Sequence, residues 1–160
     1  MIPLKIYKGL WDAIAEKVGT FNNVFCVSDE SEMQDRIDQL SDQEYLLVAV
    51  IPSSNMTALD LDTVSEIDNC VLYVLQKTDP STMTPDEILD QRSHLQWLMT
   101  EIKFMMLMLA GDTVNYNDFT LLMKKLTDGK IHTDPEYNYL GCTGWSISFD
   151  IKSNEFYPNQ

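Results

Sequence analysis

The sequence predicts an α/β (α+β) fold, a mixed, mainly antiparallel sheet with a long capped helix packed on it and shorter helices around. Three observations predict it. The segments Tyr45 to Ile51 (YLLVAVI) and Asn69 to Lys77 (NCVLYVLQK) are apolar on both alternating faces, as in the middle of a sheet covered on both sides. Gly144 to Lys152 alternates instead, with Trp145, Ile147, Phe149 and Ile151 pointing one way and Ser146, Ser148 and Asp150 the other. That is the pattern of a half-buried antiparallel strand. Between these strands lies Thr84 to Gly111, where Thr84 and Glu87 are spaced as a capping box and Pro85 holds the first helical position. Asp86, Glu87 and Asp90 put negative charge at the positive end of the helix dipole, and Gly111 is read as a left-handed stop.

The elements follow in order. Leu4 to Val18 carries Tyr7, Leu10, Trp11, Ile14 and Val18 on one helical face, with Gly19 as its end. Val24 to Val27 is a short buried strand. Met33, Ile37 and Leu40 are spaced for a second, thin-striped helix inside an acidic block. Pro52 is expected to end the first long strand. The segment from Pro52 to Asp68 then reads as a long loop, of a length that in a compact domain is usually functional or mobile. The 84–111 helix spans roughly 39 Å at 1.5 Å per residue. Its end, Phe104 to Leu109, is apolar all round and needs cover on every side. One small domain offers too little cover, so a partner surface is expected at Phe104, Met105 and Met108 or at Leu59 and Leu61 in the loop. Asn117 to Leu126 is a short fourth helix. Lys130 to Thr133 is a weak strand, broken by Pro135. Residues 1–152 form one domain, and 153–160 form a polar tail over the surface.

Composition narrows the chemistry. A net charge of −14 disfavours nucleic-acid readout and anionic membranes. No stretch is long and apolar enough to span a bilayer, and MIPLKIYKGLW lacks the core of a signal peptide. Cys26, Cys70 and Cys142 form no CxxC and lie in or beside apolar strands. They read as free core thiols of a reducing compartment, not as a disulfide framework. His94 and His132 have no metal spacing, and no glycine-rich phosphate cradle is present, so no cofactor, metal or catalytic residue is expected. Asp60, Asp62, Glu66 and Asp68 cluster in the expected loop but lack the glycine and spacing of a calcium loop. The nine methionines read as core filler before they read as a plastic groove.

The order helix, strand, short helix, two long strands, capped helix and closing Gly144-Trp145-Ser146-Ile147-Ser148-Phe149-Asp150-Ile151 strand resembles a family. It is that of the small head–tail joining proteins of tailed bacteriophages, the tail-terminator and neck-ring group. The resemblance covers most of Leu4 to Lys152, and the expected loop is similar to one that such ring proteins project between two strands. It implies a non-enzymatic virion protein, assembled in the host bacterial cytoplasm into a homo-oligomeric ring against neighbouring head, neck or tail proteins. DNA would pass through the ring without sequence-specific binding and without membrane contact. In a ring, Asp60, Asp62, Glu66 and Asp68 are expected to face the channel, with Glu30, Glu32, Asp35 and Asp38 as the other candidate wall. Two further classes stay open: a small acidic interaction protein or DNA mimic that binds a basic partner, and a small enzyme of unrecognised type.

Overall fold

The computed structural model describes residues 1–58, 64–115, 117–126 and 130–153. Five strands form one mixed sheet in the order β1-β2-β3-β5-β4: β1 (Asn23–Val27), β2 (Tyr45–Ala58), β3 (Val64–Lys77), β4 (His132–Tyr139) and β5 (Cys142–Lys152). Only β1 and β2 run parallel; every other neighbouring pair is antiparallel. The doubly apolar strands β2 and β3 sit inside the sheet, as their composition requires.

Helices α1 (Leu4–Val18), α3 (Pro85–Gly111) and α4 (Asp118–Lys124) cover one face. Tyr7, Leu10 and Trp11 of α1 and Leu95, Leu98, Met99, Ile102 and Met106 of α3 pack there on Leu47, Ala49, Cys70, Leu72 and Val74. Ile147, Phe149 and Ile151 of β5 join the same cluster, with Trp145 at its margin, so the alternating strand turns its apolar side to the long helix. The short helix α2 (Glu30–Asp38) lies on the opposite face, where Met33 and Ile37 meet Val27, Leu46, Val48, Leu75 and Cys142.

The capping box at α3 forms as its spacing predicts. The Glu87 N–H donates to Thr84 Oγ1 at 3.3 Å, and the Thr84 N–H donates to a Glu87 carboxylate oxygen at 2.7 Å. Gly19 ends α1 in the left-handed region, at φ 74°. Gly111 does not end α3 that way. It stays helical, and Asp112 stops the chain by accepting from the backbone N–H groups of Val114 and Asn115. An aspartate that mimics a turn in this way needs no left-handed residue before it.

Both prolines expected to break strands are instead accommodated. At Pro52 the β2–β3 register shifts between Val50 and Ser53, and the strand resumes to Ala58. A bulge absorbs the residue that cannot donate to the ladder. Pro135 sits in β4, at the edge of the described sheet, where a strand tolerates proline. The expected 52–68 loop is therefore largely a β-hairpin. Ser153 is fully buried and donates its N–H to the Glu66 carbonyl at 3.0 Å, so the folded body extends one residue past the expected boundary.

Candidate interaction surfaces

The β2–β3 hairpin outgrows the sheet. β1 accompanies β2 only as far as Val50, and the β5 side ends at Ser153 opposite Glu66. Beyond that point, among the described residues, Thr57 and Ala58 pair with Ser65 and Val64 and with no third strand. A two-stranded ribbon of this kind is marginally stable in water by itself. Met56, on this arm, is 68% exposed. Leu59, Asp60, Leu61 and Asp62, expected as interface and channel residues, lie outside the described residues.

Glu66 and Asp68 are not loop carboxylates. They alternate around Ile67 in β3, on the α1 side of the sheet, and are 6% and 0% exposed. Asp68 Oδ2 accepts from the Ile2 N–H at 2.6 Å, and Ile2 is itself buried. Glu66 receives the Met1 amino group and the Ser54 hydroxyl. A carboxylate withdrawn from water needs such donors to offset its desolvation. The pair thus clasps the start of the chain to the base of the arm, and a channel-facing role for Glu66 and Asp68 does not fit this burial. Asp68→Ala is expected to strand the buried Ile2 N–H, at a cost of about 1–3 kcal/mol. Asp68→Asn keeps an acceptor and should retain most of that stability. Urea unfolding of the two variants checks the ordering.

The second surface is the outer side of α3. Trp97, Phe104, Leu107 and Met108 are 51–58% exposed. At about 100° per residue they fall within an arc of about 100°, opposite the buried Leu95, Met99, Ile102 and Met106. The all-round apolar end is thus covered on one side only. Of the interface residues expected here, Phe104 and Met108 are exposed, whereas Met105 packs partly against the chain's own core. Upstream on α3, His94 lies between the rings of Tyr45 and Trp97, with centroids 5.4 and 5.8 Å away. Beside the ridge, Leu10, Ile14, Met105, Met108, Leu109 and Phe119 line a groove of about 200 Å³ between α1, α3 and α4.

The third surface is acidic. On α2, Glu30, Asp35 and Asp38 are exposed, and Asp29 caps the helix by accepting from the Glu32 N–H. Glu32 is held below the usual carboxylate range, chiefly by the backbone and hydroxyl donors of Ser28 and then by Arg36. Asp150 on β5 and Asp134 on β4, which pairs with Ser146 of β5, add exposed carboxylates to the same side of the sheet. The long helix is on the other side of the sheet, where Asp12 and Glu16 of α1 and Asp86, Glu87 and Asp90 of α3 are exposed as well.

Burial pushes the Cys142 thiol up to about 12, and it raises Cys70 further and Cys26 as well. Thiols so held are poor nucleophiles at neutral pH. His132 pairs with Asp134 at 2.9 Å on the exposed edge. Among the described residues no group of three or more His, Cys, Asp or Glu is placed to hold a metal ion, and no helix is long and apolar enough to cross a membrane. No protein-family model matches the chain, and no curated protein matches it. The clasp is not visible in the sequence, because its donor Ile2 and acceptor Asp68 lie 66 residues apart. The one available signal was the spacing of Glu66, Ile67 and Asp68, which puts both acids on one face of a strand.

Proposed function

We propose that this chain is a structural virion protein of a tailed bacteriophage, one that forms an oligomeric ring at the head–tail junction, as neck or tail terminator, around the DNA channel. The observation that carries assembly is the apolar ridge of Trp97, Phe104, Leu107 and Met108 left in water by a chain of net charge −14. Large apolar side chains gathered in water on one helix face point to an interaction site. The β2–β3 arm lies on other elements than this ridge, so among the described residues one copy offers two different surfaces for contact. Head-to-tail contact between two different surfaces closes into a ring when the rotation permits.

The place in a phage particle rests on the resemblance in element order and in the closing strand. The acidic side of the sheet supports a channel wall. Repeated around a ring, Glu30, Asp35, Asp38 and their β-strand neighbours would repel the phosphate backbone of passing DNA. Only acids within about 10 Å of the passage act at 0.1 M salt, because the field is screened beyond that. With Glu66 and Asp68 occupied by the clasp, α2 is the better candidate wall.

One alternative draws on the same acids. A small acidic interaction protein or DNA mimic would present α2 to a basic partner and need not assemble with itself. Phe104→Glu separates the two. Phe104 is 58% exposed, so the substitution is expected to leave the melting temperature nearly unchanged. In the ring reading it shifts sedimentation of the purified protein from an oligomer to a monomer. An unchanged oligomer removes the α3 ridge from the interface, and a wild-type chain that sediments as a monomer favours the mimic.

A further inference from the structure

The short helix α2 covers only part of its sheet face. Met33 and Ile37 close over Leu46, Val48 and Leu75, while Val50, Tyr73 and Tyr139 beside them stay half-buried. There a hollow of about 200 Å³ has a floor of Met33, Val50, Val71, Tyr73 and Tyr139 and a rim of Asp29 and Glu30. We propose that this hollow receives an arginine side chain carried by a segment of another protein. Its stem lies on the valines, and its guanidinium meets the tyrosine pair and the two carboxylates.

Charge selects the occupant. The described residues that line the hollow include no basic one, and both rim carboxylates are exposed. Lys77, which reaches α2, donates instead to the Ile37 and Leu40 carbonyls at the helix's other end, at 3.0 and 2.6 Å. Arg36, on α2 itself, lies beside Glu32 and over the Phe25 ring. Burial and the hydrogen bond with Tyr73 push the Tyr139 hydroxyl up, and the charges of Glu30 and Glu136 push it up further. These carboxylates therefore make the hollow negative. The start of α2 adds the opposite sign, roughly half a charge, which is less than Asp29 and Glu30 supply together.

Shape narrows the occupant to arginine. Tyr73 and Tyr139 are stacked, with ring centroids 5.4 Å and planes 16° apart. A guanidinium lies flat on tyrosine rings and donates to carboxylates as a planar fork, whereas the compact ammonium of lysine has no such fork. The arginine stem is apolar and can cover Val50 and Val71. Val71 also lines a neighbouring hollow, together with Asn69, Ser148 and Asp150. Residues flanking the arginine thus have a path along the same sheet face, which favours a chain segment over a free small molecule. All the residues named come from one copy, so the site gives a basic partner its place whether or not copies join in a ring.

The test is an NMR titration of the full chain, read at the methyl groups of Val50 and Val71. The probe is the peptide acetyl-Gly-Ser-Arg-Ser-Gly-amide. It is expected to shift both methyl signals saturably, and the same peptide with citrulline for arginine is expected to bind about tenfold more weakly. Asp29→Asn with Glu30→Gln keeps a residue that caps α2 and removes two charges, so binding should weaken about fivefold or more. Asp86→Asn with Asp90→Asn removes two charges from α3, on the other side of the sheet, and should change the affinity by less than about twofold. Equal weakening by the two pairs would reduce the effect to the general attraction of a chain of net charge −14 and overturn the proposal, as would unshifted Val50 and Val71 signals. Tyr139→Leu keeps the charges and should weaken binding severalfold; an unchanged affinity also overturns the proposal. The titration is repeated on Phe104→Glu. Shifts found there but not in wild type would assign the hollow to a second copy and overturn the proposal, and the same shifts in both uphold it with or without a ring.

Discussion

Gly144→Ala is expected to cost at least about 3 kcal/mol, the upper end of the range for overpacked sites. Gly144 pairs with Leu75 across the β3–β5 ladder. A Cβ built there would lie 1.9 Å from the Val74 carbonyl oxygen and 2.9 Å from the Val74 carbon and the Leu75 Cα. These are backbone atoms of the central strand, and no side-chain rotamer relieves the overlap. The ladder itself has to shift, and with it Trp145 and the apolar residues that follow. For a chain of this size that loss corresponds to a fall of roughly 6–12 °C in melting temperature. Urea denaturation of the purified variant checks it, and a change below about 1 kcal/mol would mean that β3 and β5 do not meet in this register.

Trp11→Ala is expected to cost about 3–5 kcal/mol, as for large aromatic truncations in a packed core. Trp11 is fully buried, and its ring meets those of Tyr7 and Phe149 edge-on, at 5.7 and 6.0 Å between centroids. It joins the first helix to the last full strand, two elements at opposite ends of the sequence. The truncation leaves a void that α1 can close only by sliding along the sheet, which would pull Ile2 from the Asp68 clasp. Trp11→Phe keeps a ring in the site and should lose less. Chemical unfolding of both variants decides this; equal and small losses would contradict the packing of α1 on β5.

Where apolar periodicity ran over several turns, the fold was legible. Tyr7, Leu10, Trp11 and Ile14 placed α1, and the capping box placed the start of α3 to the residue. The double apolarity of β2 and β3 put them inside the sheet, as the strand order has it. The hairpin beyond Pro52 was not legible, because its covered side is polar: Ser54 bonds the buried Glu66 and pairs with the buried Asp68, so Ser53, Ser54, Asn55 and Met56 show no apolar alternation. The prolines misled for a related reason. Sequence marks where a donor is missing, but not whether a bulge or a sheet edge makes the donor unnecessary. The exposed ridge on α3 was legible, since Phe104 to Leu109 is too apolar for one side of a sheet to cover. The roles of Glu66 and Asp68 were not, because a buried carboxylate is defined by its partners, and those come from the far end of the chain.

Ring assembly is tested most directly by native mass spectrometry of the purified wild-type chain, with electron micrographs of the same sample. One discrete oligomer is expected, seen end-on as a closed ring with an axial opening, together with loss of that species in Phe104→Glu. A monomer that persists up to high micromolar concentration, or a dimer with no opening, would contradict it.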